Sequence, residues 1–572
     1  MRTILKYFGN YRLQSILSPF FKLCEAIFEL IVPLVIADII DIGIAGNDKS
    51  YILGKVILLG VFALVGYVCA LCAQYFAAYS AAGISADLRK DLFYKIQHMS
   101  LKNSEKVGTS NLITALTSDV NQIQSGINLT LRLLLRSPFI VFGAIIMAMT
   151  VSVRLSLIFL IVVSLLGIVV AFNMRKAIPA YRATRTNLDE LVDKADNGLS
   201  GVRVIRSYNR SEDDLHGFTD SSSKLRQSQV KAAFISSLLN PVTFLLINIA
   251  ICLLIYRGAI NVSVGSLSQG HVIALYNYMS QILVELIKLA NLIVTVSRAI
   301  ACAGRVERIY NTVDESSSNS IKVAEPTAAH SIEFKNVSFT FEGNSESTLS
   351  NVSFCIKAGE RIGIIGNTGS GKSTIAQLAA GLYPVTSGQV LFDGNDINEI
   401  SSNDLANSIG LCLQKARMFT GSIRYNISLN RPEIDSERLN YAIDMSCSRE
   451  IVESKKNGIK YRIQANGSGL SGGQRQRIGI ARVLAGRPGV LILDDSTSAL
   501  DSATERKFLS NITKLQNNPT TIIISQKIKS VIHSDRILVI NDGQIEAFGT
   551  HDELMNSSDS YRKLYDLQSE EQ

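Results

Sequence analysis

Stretches without a single charged residue recur through the first half of this chain, and they leave it few ways to fold. Val56–Ala86, Ser137–Val153, Leu155–Met174, Ala232–Tyr256 and Gly258–Val284 contain no Asp, Glu, Lys or Arg. Crossing the hydrocarbon core of a bilayer takes about 20 mostly apolar residues in a helix. Only helices and closed barrels satisfy the backbone there. Residues 15–40 are apolar as well, but carry Lys22, Glu25, Glu29 and Asp38. These runs predict six spans, at 15–42, 54–86, 127–151, 154–176, 234–257 and 269–300. Only Arg154 separates the second uncharged run from the third, which predicts a tight helical hairpin.

The distribution of Lys and Arg orients the spans. Arg2, Lys6 and Arg12 precede the first; Arg89, Lys90, Lys95, Lys102 and Lys106 follow the second; eleven basic residues lie within 175–231. The remaining connections are short and hold only Lys49 and Lys55, then Arg154, then Arg257. The basic set belongs on the cytoplasmic side, so both termini are expected inside. The two cytoplasmic connections are long, helix-patterned and poor in Pro and Gly, so the helices are expected to continue beyond the bilayer. Composition agrees. The chain is 47% hydrophobic and 19% charged, against about 25% charged in ordinary soluble proteins. That argues against a soluble enzyme, a disordered protein and a collagen-like chain. The net charge is +8, but residues 1–325 hold 31 Lys and Arg against 22 Asp and Glu, and residues 326–572 hold 26 against 27. The basic excess sits with the apolar runs, as in a membrane protein, and does not point to nucleic acid. The eight cysteines are scattered, mostly in apolar stretches, and read as small buried hydrophobes, Cys69-x-x-Cys72 included. The first residues lack the pattern of a cleaved signal peptide.

Charges inside a span are costly and often functional. Lys22, Glu25 and Glu29 share one helix face, and Glu285 and Lys288 form a similar pair in the sixth span. Two readings stay open for them. They line a substrate path, with a titrating carboxylate and a weak preference for cationic amphiphiles, or they form an interhelical charge cluster.

The second half has another character. Residues 311–330 are Ser-rich and read as a linker between a membrane domain, 1–310, and a soluble domain, 331–572. Ser331–Phe341 alternates like a strand, and the apolar run Arg361–Ile365 leads into Gly366, Asn367, Thr368, Gly369, Ser370, Gly371, Lys372, Ser373 and Thr374. This is the G-x-x-x-x-G-K-S phosphate loop. Its glycines let backbone N–H groups curl around phosphate and the following helix adds positive potential. Lys372 would reach the β- and γ-phosphates and Ser373 would ligate Mg²⁺. Val490–Asp494 reads as a buried parallel strand ending in an acid that can hold the Mg²⁺ shell. Between them lies Leu470-Ser471-Gly472-Gly473-Gln474, just before a helical run. One nucleotide does not need two phosphate-binding devices in one domain, so the second is expected to serve a nucleotide held by another chain.

Six spans followed by GNTGSGKS, LSGGQ and VLILD in this order resemble an ATP-binding cassette exporter half-transporter of the multidrug type. The resemblance covers nearly the whole chain. It implies an all-α six-helix transmembrane domain of the type I exporter class, followed by an α/β P-loop nucleotide-binding domain. It implies two chains pairing, with two ATP molecules and Mg²⁺ held head-to-tail between them, driving export of a drug-like, lipid or peptide small-molecule substrate. By position, Phe341 would stack on adenine. Gln414 would sense Mg²⁺. Ser471, Gly473 and Gln474 would reach a γ-phosphate in trans, and Ser498–Asp501 would form the loop after the metal-binding acid. The segments Glu105–Leu112 and Gly201–Tyr208 would touch the nucleotide domains. A bacterial plasma membrane is the expected location. A channel-like or receptor-like protein on the same scaffold is the alternative; soluble ATPases that share LSGGQ are excluded by the spans.

Two positions depart from the family pattern. Asp495 stands where the family usually has the Glu that acts on attacking water, and Gln526 stands at the switch histidine. Asp is shorter by one methylene, about 1.5 Å. Gln carries no positive charge. (His551 lies outside that position and reads as structural.) Phosphate loop, metal acid and signature are intact, so the expectation is ATP binding with poor hydrolysis at this chain's own site. The implied partner is a non-identical half-transporter with the Glu and His in place. A homodimer with slow hydrolysis is the competing expectation.

Overall fold

The computed structural model describes residues 6–312, 321–323, 325–342, 344–464 and 467–570. Residues 313–320 and 324 of the Ser-rich linker expected over 311–330 lie outside them. The chain divides into two compact units. One comprises Met1–His98 and Val107–Thr312; the other comprises Met99–Lys106 and Val313–Gln572.

The first unit is helical throughout. Helix α1 (Arg12–Asp38) continues through a π-turn, Ile39–Ile44. It is followed by α2 (Lys49–Gln97), while α3 (Leu101–Val107) belongs mainly to the other unit. Then come α4 (Thr109–Val151), α5 (Val153–Ser200), the short α6 (Val202–Ser207), α7 (Ser211–Ser263) and α8 (Gln269–Tyr310). Five of these, α2, α4, α5, α7 and α8, are long and apolar enough to cross a membrane. Helix α1 carries Lys22, Glu25 and Glu29 inside its apolar stretch, and those charges are paired, as described below. The helices extend well past the apolar windows, up to 53 residues in α7. That length is about 80 Å at 1.5 Å per residue, far more than a bilayer core needs. Buried small residues let the helices approach closely: Ala26 and Ala37 on α1, Ala144 and Ala148 on α4, and Ala250 on α7 pack with Phe159, Tyr278 and Met279.

The second unit is built on sheets. Its strands are β1 (Ile332–Phe339), β2 (Leu349–Ile356), β3 (Arg361–Ile365), β4 (Ser387–Phe392), β5 (Asn395–Asp396), β6 (Ile409–Cys412), β7 (Val490–Asp494), β8 (Thr520–Ile524), β9 (Arg536–Asn541) and β10 (Gln544–Gly549). An antiparallel sheet runs β2-β1-β4-β5, and a six-stranded sheet runs β10-β9-β3-β8-β7-β6. In the latter, β9, β3, β8, β7 and β6 are parallel, and β10 closes the edge antiparallel. Strands β7 and β8 are buried at every position, as expected of parallel strands covered on both faces. The neighbouring order β3-β8-β7-β6 matters most. It places the carboxyl ends of four parallel strands side by side, where ligands bind in open α/β sheets. The chain therefore consists of a helical transmembrane domain followed by an α/β nucleotide-binding domain.

Candidate nucleotide site and buried charge cluster

The phosphate loop follows β3 and ends at helix α9 (Lys372–Ala379). Its glycines are dictated by space as well as by backbone angle. A Cβ at Gly366 would lie 2.0 Å from the Ile540 carbonyl oxygen, and Gly371, at φ +97°, would meet Leu349 at 2.6 Å. Lys372 is 8% exposed. Its ammonium donates to the carbonyls of Gly366 at 2.8 Å and Asn367 at 2.5 Å, and to Ser370 at 3.3 Å. Burial holds its pKa below the usual lysine range, while Asp495 and Asp494 pull it back up. The amine thus lies across the loop, held by dipoles, and among the described residues it forms no ion pair with a carboxylate.

Strand β7 delivers Asp494, 4% exposed. It accepts a hydrogen bond from the Ser373 hydroxyl at 2.9 Å. Burial pushes this carboxyl above the usual range; Ser373 and Lys372 oppose the shift and the Asp495 charge adds to it. Asp495 turns the chain at φ +44°, a region uncommon for residues other than glycine, and its amide donates to the Ile524 carbonyl at 2.9 Å. Its carboxylate accepts from the Gln414 side-chain amide at 3.1 Å. Gln526 comes off the end of β8 and its carbonyl accepts from Gln568 at 2.8 Å. Lys372, Ser373, Thr374, Gln414, Asp494, Asp495 and Gln526, with Thr348, Thr368, Gly369 and Gly371, surround one cavity of about 270 Å³.

The donors suit Mg²⁺. A hydroxyl and a carboxylate already lie 2.9 Å apart, and the Gln414 amide oxygen is the third candidate. Hard oxygen ligands in small number, completed by water and phosphate, are what this ion takes. Among the described residues no group of three or more His, Cys, Asp or Glu forms a closed metal cage.

Other residues singled out from the sequence lie outside this cavity. Ser471 caps helix α10 (Gly472–Ala485) in a capping box with Gln474: Ser471 N–H donates to Gln474 Oε1 at 3.1 Å and Gln474 N–H to Ser471 Oγ at 3.3 Å. Those side chains satisfy the helix terminus, while nothing lies within 4 Å of a Cβ built on Gly472. Gly473 packs against the loop at 498–501, where a Cβ would lie 2.7 Å from the Ala499 carbonyl. Asp501 caps the next helix by accepting from Thr504 N–H at 2.9 Å. Phe341 sits edge-on to Phe339 at 4.8 Å and to Tyr383 at 5.7 Å, on the wall of a different cavity. His551 meets the Tyr561 hydroxyl at 2.9 Å. All eight cysteines are free.

In the membrane unit the intrahelical charges meet a partner that sequence reading missed. Arg136, near the middle of α4 and 6% exposed, bonds Glu285 at 2.6 Å and Glu29 at 2.6 Å, with Glu25 3.9 Å away. Lys22 pairs with Glu25 at 2.5 Å and Lys288 with Glu285 at 2.8 Å. Ser137 donates to the other Glu285 oxygen at 2.7 Å. Three carboxylates thus face three cations across α1, α4 and α8, and each carboxylate is engaged. The clue lay within the predicted span 127–151, which contains Arg136 directly before its uncharged run. The second connection between long helices, around Val202–Ser207, leaves Val204 60% and Tyr208 76% exposed.

Comparison with known proteins agrees with both units. Residues 15–286 match the ABC transporter transmembrane region and residues 349–498 match the ABC transporter domain. An uncharacterized ABC transporter ATP-binding protein of Bacillus subtilis, YfiB, is 33% identical over 570 residues, covering 99% of this chain and 98% of that protein. A Mycobacterium tuberculosis ABC transporter ATP-binding protein, Rv1273c, is 30% identical, covering 96% of this chain and 94% of its own. The fold is shared with a solved bacterial Atm1-family ABC exporter with ATP bound, at a TM-score of 0.83, 21% identity and coverage of 97% and 98%. With its phosphate-loop sequence and LSGGQ in an ABC transporter domain and its apolar helices in a transmembrane region, the chain belongs to the ABC transporter family, as a half-transporter of exporter fold.

Proposed function

We propose that this chain is the degenerate-site subunit of a heterodimeric ATP-driven exporter in a bacterial plasma membrane, with both termini and the nucleotide domain cytoplasmic. The observation that carries the reading is the occupancy of the water-activating corner of the cavity. Asp495, one methylene short, accepts from Gln414 at 3.1 Å, and Gln526 lines the same cavity. A general base has to come within about 3 Å of the proton it takes, directly or through one water. A carboxylate drawn back by about 1.5 Å and bonded to an amide is poorly placed for that. Gln526 can donate a hydrogen bond to a γ-phosphate but brings no charge to it.

Binding remains intact on this reading. The loop amides and Lys372 take the β- and γ-phosphates of ATP, and Phe341 supplies a stacking face for adenine. Ser373, Asp494 and Gln414 hold Mg²⁺, which neutralises phosphate charge when bound. The helix end at Ser471–Gln474, open at Gly472, meets the nucleotide of a second, non-identical half-transporter that carries the Glu and His missing here. ATP stays at this chain's own loop while the partner's site turns over, and the pairing drives export of a drug-like, lipid or peptide substrate.

The test is turnover by purified assemblies. The chain alone should bind ATP and hydrolyse almost none; vigorous turnover by the single chain would sink the heterodimer reading in favour of a homodimer. Asp495→Glu should raise hydrolysis at this site by at least about tenfold, against the 10²–10⁴ a positioned base contributes. Passive ion flux gated by ATP, without substrate-stimulated hydrolysis, would indicate the channel-like alternative.

A further inference from the structure

The segment joining α2 to α4 packs with the nucleotide unit and walls a cavity that the phosphate site does not use. This cavity, about 590 Å³, is bounded by Lys102, Glu105 and Lys106, by Phe339–Glu342 and by Tyr383–Thr386. It adjoins the phosphate cavity. Thr348 lines the latter, and its amide donates to the Phe339 carbonyl at 2.8 Å. The Phe341 ring lies on the wall of this second space, and on the reading above it receives the base of a nucleotide whose phosphates occupy the loop.

Phe341 is braced by Tyr383, whose ring meets it edge-on at 5.7 Å. Tyr383 is 7% exposed, and its hydroxyl donates to Glu105 at 2.8 Å. Burial and this carboxylate push the phenol up to about 12, so it stays a donor at neutral pH. Lys106 pairs with Glu342 at 2.6 Å, next to Phe341 in sequence. Two independent contacts thus tie the 99–106 segment to the two residues that flank or support the ring.

We propose that Glu105 and Tyr383 are positioning residues for the nucleotide base. This rests on the reading that ATP occupies the loop with its adenine on Phe341. The chemistry is that of a polar aromatic ring. Phe341 gives the face, Tyr383 fixes its tilt, and the Tyr383–Glu105 bond fixes Tyr383.

The experiment uses the purified full-length chain with two probes, ATP and inorganic tripolyphosphate, which has no base. Dissociation constants are measured for the wild type, Tyr383→Phe, Glu105→Ala and the double variant. ATP should bind about three- to tenfold more weakly to each single variant, a fraction of what a hydrogen bond to a charged group is worth. The double variant should lose no more than either single, because both remove the same bond. Tripolyphosphate should bind all four alike, which a general loosening of the domain would not allow. Equal losses for both probes, additive losses, or unchanged ATP affinity would overturn the inference while leaving the nucleotide reading intact. Failure of the wild type to bind either probe, or ATP binding no tighter than tripolyphosphate, would overturn both.

Discussion

Charged side chains are buried in both halves of this protein, with opposite outcomes. Around Arg136, three acids and three bases from three helices engage one another, and the most buried of them, Glu285 at 2% exposure, has Arg136, Lys288 and Ser137 as partners. In the nucleotide cavity the buried ions are left mismatched. Lys372 is held by carbonyls, and Asp494 is adjacent in sequence to Asp495, a second acid lining the same cavity. Burial shifts both Lys372 and Asp494 toward their neutral forms. A closed set of charges holds helices together and asks for nothing more. An open set stores the cost of desolvation until a ligand of the right charge arrives. On the proposed reading, Mg²⁺ would answer the acids and phosphate the lysine.

The comparison breaks most visibly at Arg136. Arg136→Met should cost up to about 3–5 kcal/mol, the usual penalty for removing one partner of a buried ion pair, because Glu285 keeps only Lys288 and Ser137. ATP affinity of the folded fraction should not change. Denaturation in detergent, with nucleotide binding measured on the same sample, checks both halves of the statement. Replacing Arg136 and Glu285 together by apolar residues should recover much of the loss, because the most buried charges leave together and the partners they leave, Lys288 and Glu29, are each 39% exposed. A double variant as unstable as the single would mean that the cluster is not the closed set its distances describe.

Lys372→Ala is the reciprocal experiment. It should weaken ATP binding by about 10- to 100-fold, the worth of charge-assisted contacts to phosphate. Stability without ligand should stay within about 1 kcal/mol, since the ammonium is already disfavoured by burial. A large loss of unliganded stability would show that Lys372, like Arg136, is structural.

These contrasts also explain what the sequence made legible. The phosphate loop is local: strand, glycines, Lys372 and Ser373 follow one another in the chain, so spacing alone specifies them. Asp494 was readable because a buried strand ends on it. The bracket around Arg136 was not, since its partners lie 107 and 149 residues away and become neighbours only when α1, α4 and α8 pack. Lys22, Glu25, Glu29, Glu285 and Lys288 were visible as expensive charges, but what satisfies the three acids was one residue outside an uncharged run. The wall formed by Glu105 and Tyr383 had no motif to announce it, being a contact 278 residues apart. Ser471 and Gln474 show the converse limit. Their spacing is equally that of a helix cap, and in the single chain that is how they are used.

A smaller effect tests the open site by pH. Since Asp494 is held above the usual carboxylate range, it takes up a proton at higher pH than an ordinary Asp, near 3.9. Mg²⁺ needs the ionised form, so Mg²⁺-dependent ATP affinity should fall as pH drops, beginning above that value. The sign is reversed for the unliganded domain. There folding raises the affinity of this carboxylate for a proton, so its contribution to stability grows as pH falls through its folded pKa. Asp494→Asn should flatten both profiles; a wild-type profile insensitive to this change would assign the titration elsewhere.

The smallest expected change concerns the edge of the closed set. Glu29 is 39% exposed and Glu25 19%, so their pairs with Arg136 and Lys22 are partly screened. Converting both to Gln should cost no more than about 1–2 kcal/mol, between the worth of exposed pairs and that of buried ones. Arg136 keeps Glu285, and Gln can still accept from it. If these carboxylates serve only one another, transport should fall no further than stability does, and selectivity between cationic and neutral substrates should stay as it was. A selective loss of cationic substrates, at unchanged ATP affinity, would mean that the half-exposed rim also faces the substrate path. The two charge sets would then differ in degree only, since the one in the membrane would be open along that rim as well.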